Sequence, residues 1–286
     1  MMEYHSLKEL QELSVKLNKE LWEIIQQEDM EASERTAEES YNKMLEMYLA
    51  MKAADESYDG SLRSASKRAG GDGEKLHKYN AQNKNICGPF VGKVMEKAIK
   101  MGESNACMRR IVAAPTAGAC GVLPAVLLSY AEEHNTCEEQ MVRALYVAAG
   151  IGKVIAENAF IAGAAGGCQA EIGSAAAMAS GALAYLQGGD AEAVMHAAAL
   201  SLKNMLGLVC DPVAGLVEVL CIKRNSYGAV NAITSAQLAL AGIRSAVVPD
   251  DVIDSMKRIG ILMHGSLKET SCGGLAVTES AGKYLT

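Results

Sequence analysis

From Leu7 the chain repeats apolar residues at three- and four-residue steps: Leu7, Leu10, Leu13, Leu17 and Leu21 stand among Lys, Glu and Gln. That period places one apolar stripe along a helix. Residues 1–57 are expected to form two or three amphipathic helices packed on a core. Ser33, followed by Glu34, Glu38 and Glu39, predicts the N-cap of the second, which runs through Tyr48. Residues 58–85 change character. They are polar, with Gly60, Gly70, Gly71 and Gly73 among several basic residues, and predict a loop. Two readings stay open for it, a flexible linker or a loop that covers a substrate.

From Ile86 the pattern becomes a succession of Ala/Gly-rich apolar segments with few breaks. Helices are predicted over 90–108, from Val122, over 138–159, and over 171–187 up to Gly188-Gly189. Asp190 should cap the next, over 191–208. After Asp211-Pro212 a short helix is expected, then longer ones near Val230–Ala241 and Val252–Leu262. No alternating strand pattern and no repeat of 20–50 residues is present. The expected fold is all-α: one domain, with 86–286 as its helical core, 1–57 packed on it and 58–85 as a polar loop. The uncharged run Ile111–Ala131 is long enough to span a bilayer. It contains two prolines, two glycines and many alanines, so it reads as a buried, interrupted segment and not as a membrane helix.

Composition sharpens this picture. Half of the residues are hydrophobic but only 5% are aromatic, which points to closely packed helices with small side chains between them. The net charge of −7 comes without long basic runs and argues against nucleic acid as a partner. Eight cysteines stand at 87, 107, 120, 137, 168, 210, 221 and 272. The charged, amphipathic start MMEYHSLKELQEL does not read as a secretory signal, so reduced cytoplasmic thiols are expected.

Familiar catalytic patterns are missing. There is no G-x-S-x-G elbow and no P-loop, and GAAGGC (163–168) follows no predicted strand. The histidines His5, His77, His134, His196 and His264 stand in ordinary contexts. What stands out is polar residues at the breaks between apolar helices: Glu157-Asn158, Lys203-Asn204, and Lys223-Arg224-Asn225. Such groups need partners or a ligand when buried. Cys168 follows Gly166-Gly167, and Cys210 precedes Asp211-Pro212. Asp-Pro suits N-cap and N1, which would put Cys210 just outside a helix N-terminus, where a thiolate is favoured. A straight helix from Pro212 would carry Cys221 about 13 Å away. A shared cluster requires the segment to bend or end early, as Gly215 permits. The plainer alternative is that these are ordinary buried cysteines.

Four stretches carry a resemblance: IVAAPTAGACGVLP (111–124), ENAFIAGAAGGCQAEIGSAAAMAS (157–180), LKNMLGLVCDPVAGLVEVLCIKRN (202–225) and LKETSCGGLAVT (267–278). Together they resemble the α subunit of iron–sulfur-dependent L-serine dehydratase. The resemblance implies that Cys168, Cys210 and Cys221 hold a [4Fe–4S] cluster with one iron open to substrate. It implies a PLP-independent lyase of amino-acid degradation, which eliminates hydroxide from L-serine to give pyruvate and ammonia. A separate β subunit is implied too, because the Ser-Ser-His-Thr motif thought to supply the base is missing here. Candidate substrate contacts are Thr116, Gly118, Asn158, Lys203 and Arg224, although a turn Thr also serves as a cap and an Arg as a solvated head group. The chain departs from the family pattern in four places. It ends SAGKYLT, without the cysteine that can fill the fourth iron position in some relatives. Leu220 replaces a proline, SKRAGGD replaces the usual S-G-L-T-G-G-D, and HGSLKET leaves His264 without a family role. Two other functions remain as alternatives: a cysteine desulfidase-like lyase releasing sulfide, and a non-catalytic helical subunit that binds only a partner chain.

Overall fold

The segment that begins at Cys168 is apolar around its whole circumference, and a helix of that kind has to be covered on every side. A computed structural model describes residues 3–284 and places this segment at the centre of an all-α domain. The four residues outside that range include the last two of SAGKYLT, so the cysteine-free ending lies partly outside the described residues. The helices are α1 (Leu7–Leu17), α2 (Leu21–Ser33), α3 (Ala37–Glu56), α4 (Asp72–Asn80), α5 (Gly88–Ala106), α6 (Val122–His134) and α7 (Glu138–Asn158). They continue as α8 (Gly163–Gly166), α9 (Cys168–Leu186), α10 (Ala191–Lys203), α11 (Cys221–Leu240), α12 (Pro249–Leu262) and α13 (Glu279–Gly282). Among the described residues there is no sheet, only an isolated parallel bridge between Cys210 and Lys268.

In α9 every residue from Cys168 to Ala184 is buried except Glu171. α6, α7, α10 and α11 pack around it. Small residues allow the close approach: a methyl group on Gly181 would come within 2.2 Å of Ile151 Cδ1, and one on Gly228 within 2.7 Å of Ile172 Cγ2. Dense packing of this kind leaves the first turn of α9 little freedom to shift. α2 and α3 lie on α7, while Leu7 and Leu10 of α1 are buried in the same core. No helix among the described residues is long and apolar enough to cross a membrane. The run from Ile111 is a loop, a short 3-10 turn and then α6, whose residues Val122–Tyr130 are all buried.

Three local expectations are corrected. Ser33 does not open a helix; it closes α2, and its hydroxyl donates to the Asp29 carbonyl at 2.5 Å. Thr36 caps α3 instead, in a reciprocal capping box with Glu39. The 58–85 stretch is not all loop, because it contains α4. The first-turn N–H groups of Asp72 and Gly73 donate to the Glu103 carboxylate at 2.7 and 3.1 Å, so the cap is supplied by α5. Finally, no helix starts at Pro212. Pro212 is extended (ψ 128°), Ala214 and Gly215 are left-handed (φ 58° and 71°), and only a single 3-10 turn forms over Val213–Gly215. Helix α11 begins at Cys221, nine residues before the expected Val230.

Candidate metal centre

Two helix starts and one extended segment deliver three cysteines to the same region. Cys168 is the first residue of α9, directly after Gly167 in a left-handed conformation (φ 79°). A Cβ at Gly167 would lie 2.8 Å from the Leu208 carbonyl, so glycine is needed for both shape and space. The next residue, fully buried Gln169, fastens this turn to the segment leading to Cys210. Its N–H donates to Leu208 O (2.9 Å), its Oε1 accepts from Gly207 N–H (2.8 Å), and its Nε2 donates to Met256 O of α12 (3.0 Å). The backbone of Cys210 is held by main chain: its N–H donates to Leu267 O (2.8 Å), and its carbonyl accepts from Glu269 N–H (2.7 Å). Cys221 opens α11, and its carbonyl accepts from Asn225 Nδ2 at 2.9 Å. The helix-dipole argument therefore applies to Cys168 and Cys221, and not to Cys210 as the sequence suggested.

All three thiols are buried and free. The Sγ atoms of Cys168 and Cys210 and a carboxylate oxygen of Glu171 lie within 4.8 Å of one another, a group suited to a metal ion. Cys221 stands outside that tight group but feels the charge of Cys168 and Glu171. The Cys210 thiol donates a hydrogen bond to Cys168 and holds the Cys168 pKa below the ordinary thiol range, helped by Arg224 against the cost of burial. The same hydrogen bond, with burial, drives Cys210 in the opposite direction. Burial pushes Cys221 up to about 12. Arg224, three residues into α11, sends Nη1 to Cys168 Sγ (3.4 Å) and to Val209 O (3.0 Å), and Nη2 to Asp211 Oδ1 (2.7 Å). Asp211 is 2% exposed, and its other oxygen accepts from Leu275 N–H at 2.7 Å. This explains why Asp211 caps no helix: its carboxylate is taken by a guanidinium and by a distant main chain.

The five weaker candidates separate. Thr116 and Gly118 lie against Glu171: the Thr116 hydroxyl donates to Glu171 Oε1, and a Cβ on Gly118 would fall 2.5–2.9 Å from the Glu171 carboxyl atoms. Arg224 lines the thiol group. Asn158 instead ties the N-terminal segment to α7, donating to His5 O (2.7 Å) and Val154 O (2.9 Å). Lys203 is exposed at the end of α10. None of the histidines takes part in the group of thiols and carboxylate. The residue that sequence reasoning passed over is Glu171, although it stands within the stretch ENAFIAGAAGGCQAEIGSAAAMAS (157–180). Its spacing of three from Cys168 puts both side chains on one face of α9. Burial raises its pKa.

The 58–72 stretch is not a free linker. Ser66 donates to Glu218 in the turn between Cys210 and Cys221, and Lys223 pairs with Asp72 at 2.7 Å. Asn225, 1% exposed, joins α11 to the Thr116 turn, donating to Gly118 O (2.7 Å) and accepting from Gly121 N–H (2.8 Å).

These donors fit an iron–sulfur group. Buried thiols are the ligands such clusters take, one has a lowered pKa, and a guanidinium is placed to balance thiolate charge. The profile of the serine dehydratase alpha chain family matches residues 16–276. The chain is 44% identical over 275 residues to a probable L-serine dehydratase, alpha chain, of Bacillus subtilis, covering 96% of this chain and 92% of that protein. It is 40% identical over 264 residues to the L-serine dehydratase, alpha chain, of Peptoniphilus asaccharolyticus, covering 92% and 90%. An L-serine dehydratase of Streptomyces coelicolor is 48% identical over 182 residues, a match spanning 63% of this chain and 40% of that longer protein.

Proposed function

The chain belongs to the serine dehydratase alpha chain family, and we propose that it is the cluster-bearing subunit of an L-serine ammonia-lyase. The observation that carries this reading is the meeting of Cys168 and Cys210 with Glu171 in one buried group, with Cys221 at the adjoining start of α11.

In this reading Cys168, Cys210 and Cys221 hold a [4Fe–4S] cluster. When bound, it supplies an electrophilic iron that helps the serine hydroxyl to leave. The chain's own residues prepare the place. Arg224 offsets the negative charge of the thiolates, and Asp211 fixes its guanidinium. The Thr116 turn, anchored by Asn225, sets the position of Glu171. The 58–71 strap holds the Cys210–Cys221 turn through Ser66 and Glu218, which supports treating 86–286 as the catalytic core and 58–85 as its cover. Loss of the Cα proton and the hydroxyl leaves aminoacrylate, which hydrolyses to pyruvate and ammonia.

A second chain completes the site. This chain spans about nine-tenths of two alpha chains but two-fifths of the longer Streptomyces enzyme, which supports a division of the activity between subunits. The free thiols suit a reducing cytoplasm.

The test is an anaerobic assay of the reconstituted chain together with its β subunit. Pyruvate released from L-serine, with little sulfide from L-cysteine, is expected. Sulfide as the main product would replace serine with cysteine as substrate. A chain that takes up no iron and forms no pyruvate would leave only a partner-binding role.

A further inference from the structure

Glu171 is the one residue in the first seventeen of α9 that is not buried, and it lies beside the thiols. It stands one turn after Cys168, so the two side chains emerge side by side. Among the described residues its carboxylate has a single hydrogen-bond partner, the Thr116 hydroxyl, which takes Oε1. The nearby cation gives it no hydrogen bond, because Arg224 is engaged by Asp211, Val209 O and Cys168. One oxygen of this half-buried carboxylate therefore has no hydrogen-bond partner among the described residues. The structure also makes room for it: a Cβ at 118 would come within 2.5–2.9 Å of the carboxyl atoms, so glycine there lets the Glu171 side chain keep this position.

We propose that Glu171 is an oxygen ligand of the metal centre, joining the three cysteines and oriented by Thr116. The inference rests on the cluster reading above and assigns the position that three thiols leave over. A carboxylate there differs from a fourth thiolate in a useful way. Iron in a sulfur-rich site binds a hard oxygen less firmly, so the ligand protects the iron at rest and gives way to a substrate oxygen. Thr116 is then a positioning residue: its hydroxyl holds Oε1 and fixes the carboxylate beside the thiols.

The experiment reconstitutes wild-type, Glu171→Gln, Glu171→Asp and Thr116→Val chains anaerobically with iron and sulfide. Iron content, conversion to a [3Fe–4S] signal on mild oxidation, and electron–nuclear double resonance of the reduced cluster in oxygen-isotope-labelled water are then read. In wild type no coupling to labelled water is expected. Glu171→Gln should admit water, show that coupling, and lose its fourth iron about ten- to a hundredfold faster, with about tenfold for Thr116→Val. Glu171→Asp, which keeps the charge but shortens the reach, should fall between. Circular dichroism and melting of each variant separate ligand loss from unfolding. Equal water coupling and equal iron loss in wild type and Glu171→Gln would overturn the inference while leaving the cluster reading intact. A wild type that assembles no cluster would overturn both.

Discussion

Arg224 bridges the thiol of Cys168 and the carboxylate of Asp211, with Nη1 3.4 Å from the sulfur and Nη2 2.7 Å from Oδ1. One side chain therefore compensates a buried acid and also lowers the pKa of a candidate ligand. Arg224→Gln is expected to slow alkylation of Cys168 at neutral pH, since loss of the cation raises the thiol pKa and lowers the thiolate fraction. The reaction is followed by mass spectrometry of the peptide containing Cys168. The same substitution leaves Asp211 without its cation and should cost about 3 kcal/mol of stability in denaturant unfolding. Unchanged alkylation would mean that the hydrogen bond from Cys210 alone sets the reactivity.

Asn225 donates to Gly118 O and Cys221 O and accepts from Gly121 N–H, all inside the core. Asn225→Asp keeps the shape but turns two donors into acceptors facing carbonyl oxygens. A loss of about 2–3 kcal/mol is expected in chemical denaturation, as for buried polar groups left unmatched. Because this residue joins the start of α11 to the Thr116 turn, iron uptake by the folded variant should fall as well. A variant of native stability would show that the turn is held by other contacts.

His196 is half-enclosed between α10 and the segment before α12, and its Nδ1 accepts the Ser245 N–H at 3.1 Å. That role needs an unprotonated nitrogen. Burial lowers the pKa of the ring in the folded protein, and Arg244 adds to the effect. The unfolded chain takes up a proton from about pH 6.5 downward, while the folded chain resists it. The contribution of His196 is thus complete above that value and is lost as the pH falls toward the lower folded pKa. Thermal melts between about pH 7.5 and 5.5 should show a steeper decline for wild type than for His196→Asn, which keeps an acceptor without the titration. Parallel curves would contradict this.

Much of the helical layout could be read from the pattern of apolar residues, because the helices of the core repeat that pattern over many turns. α9 was expected from its Ala-rich sequence and Asp190 from its capping chemistry, and both are found. The misses share one cause: partners far away in sequence. α4 is capped by Glu103, thirty-one residues on from Asp72. Asp211 was expected to start a helix, but Arg224 and Leu275 claim its carboxylate. Which polar residues meet was equally out of reach, so Asn158 and Lys203 ranked beside Thr116. Glu171 was legible in principle, since i to i+3 spacing on a helix is a local rule. The cysteine trio came from family resemblance, and spacing alone did not single it out.

The most direct test of the account is the iron and acid-labile sulfide bound per chain after anaerobic reconstitution, compared across cysteine variants. Wild type, Cys107→Ser and Cys272→Ser are expected to bind matching amounts of both. Cys168→Ser, Cys210→Ser and Cys221→Ser are each expected to lose most of the cluster while remaining folded. Loss in Cys107→Ser or Cys272→Ser, with retention in the other three, would contradict the assignment.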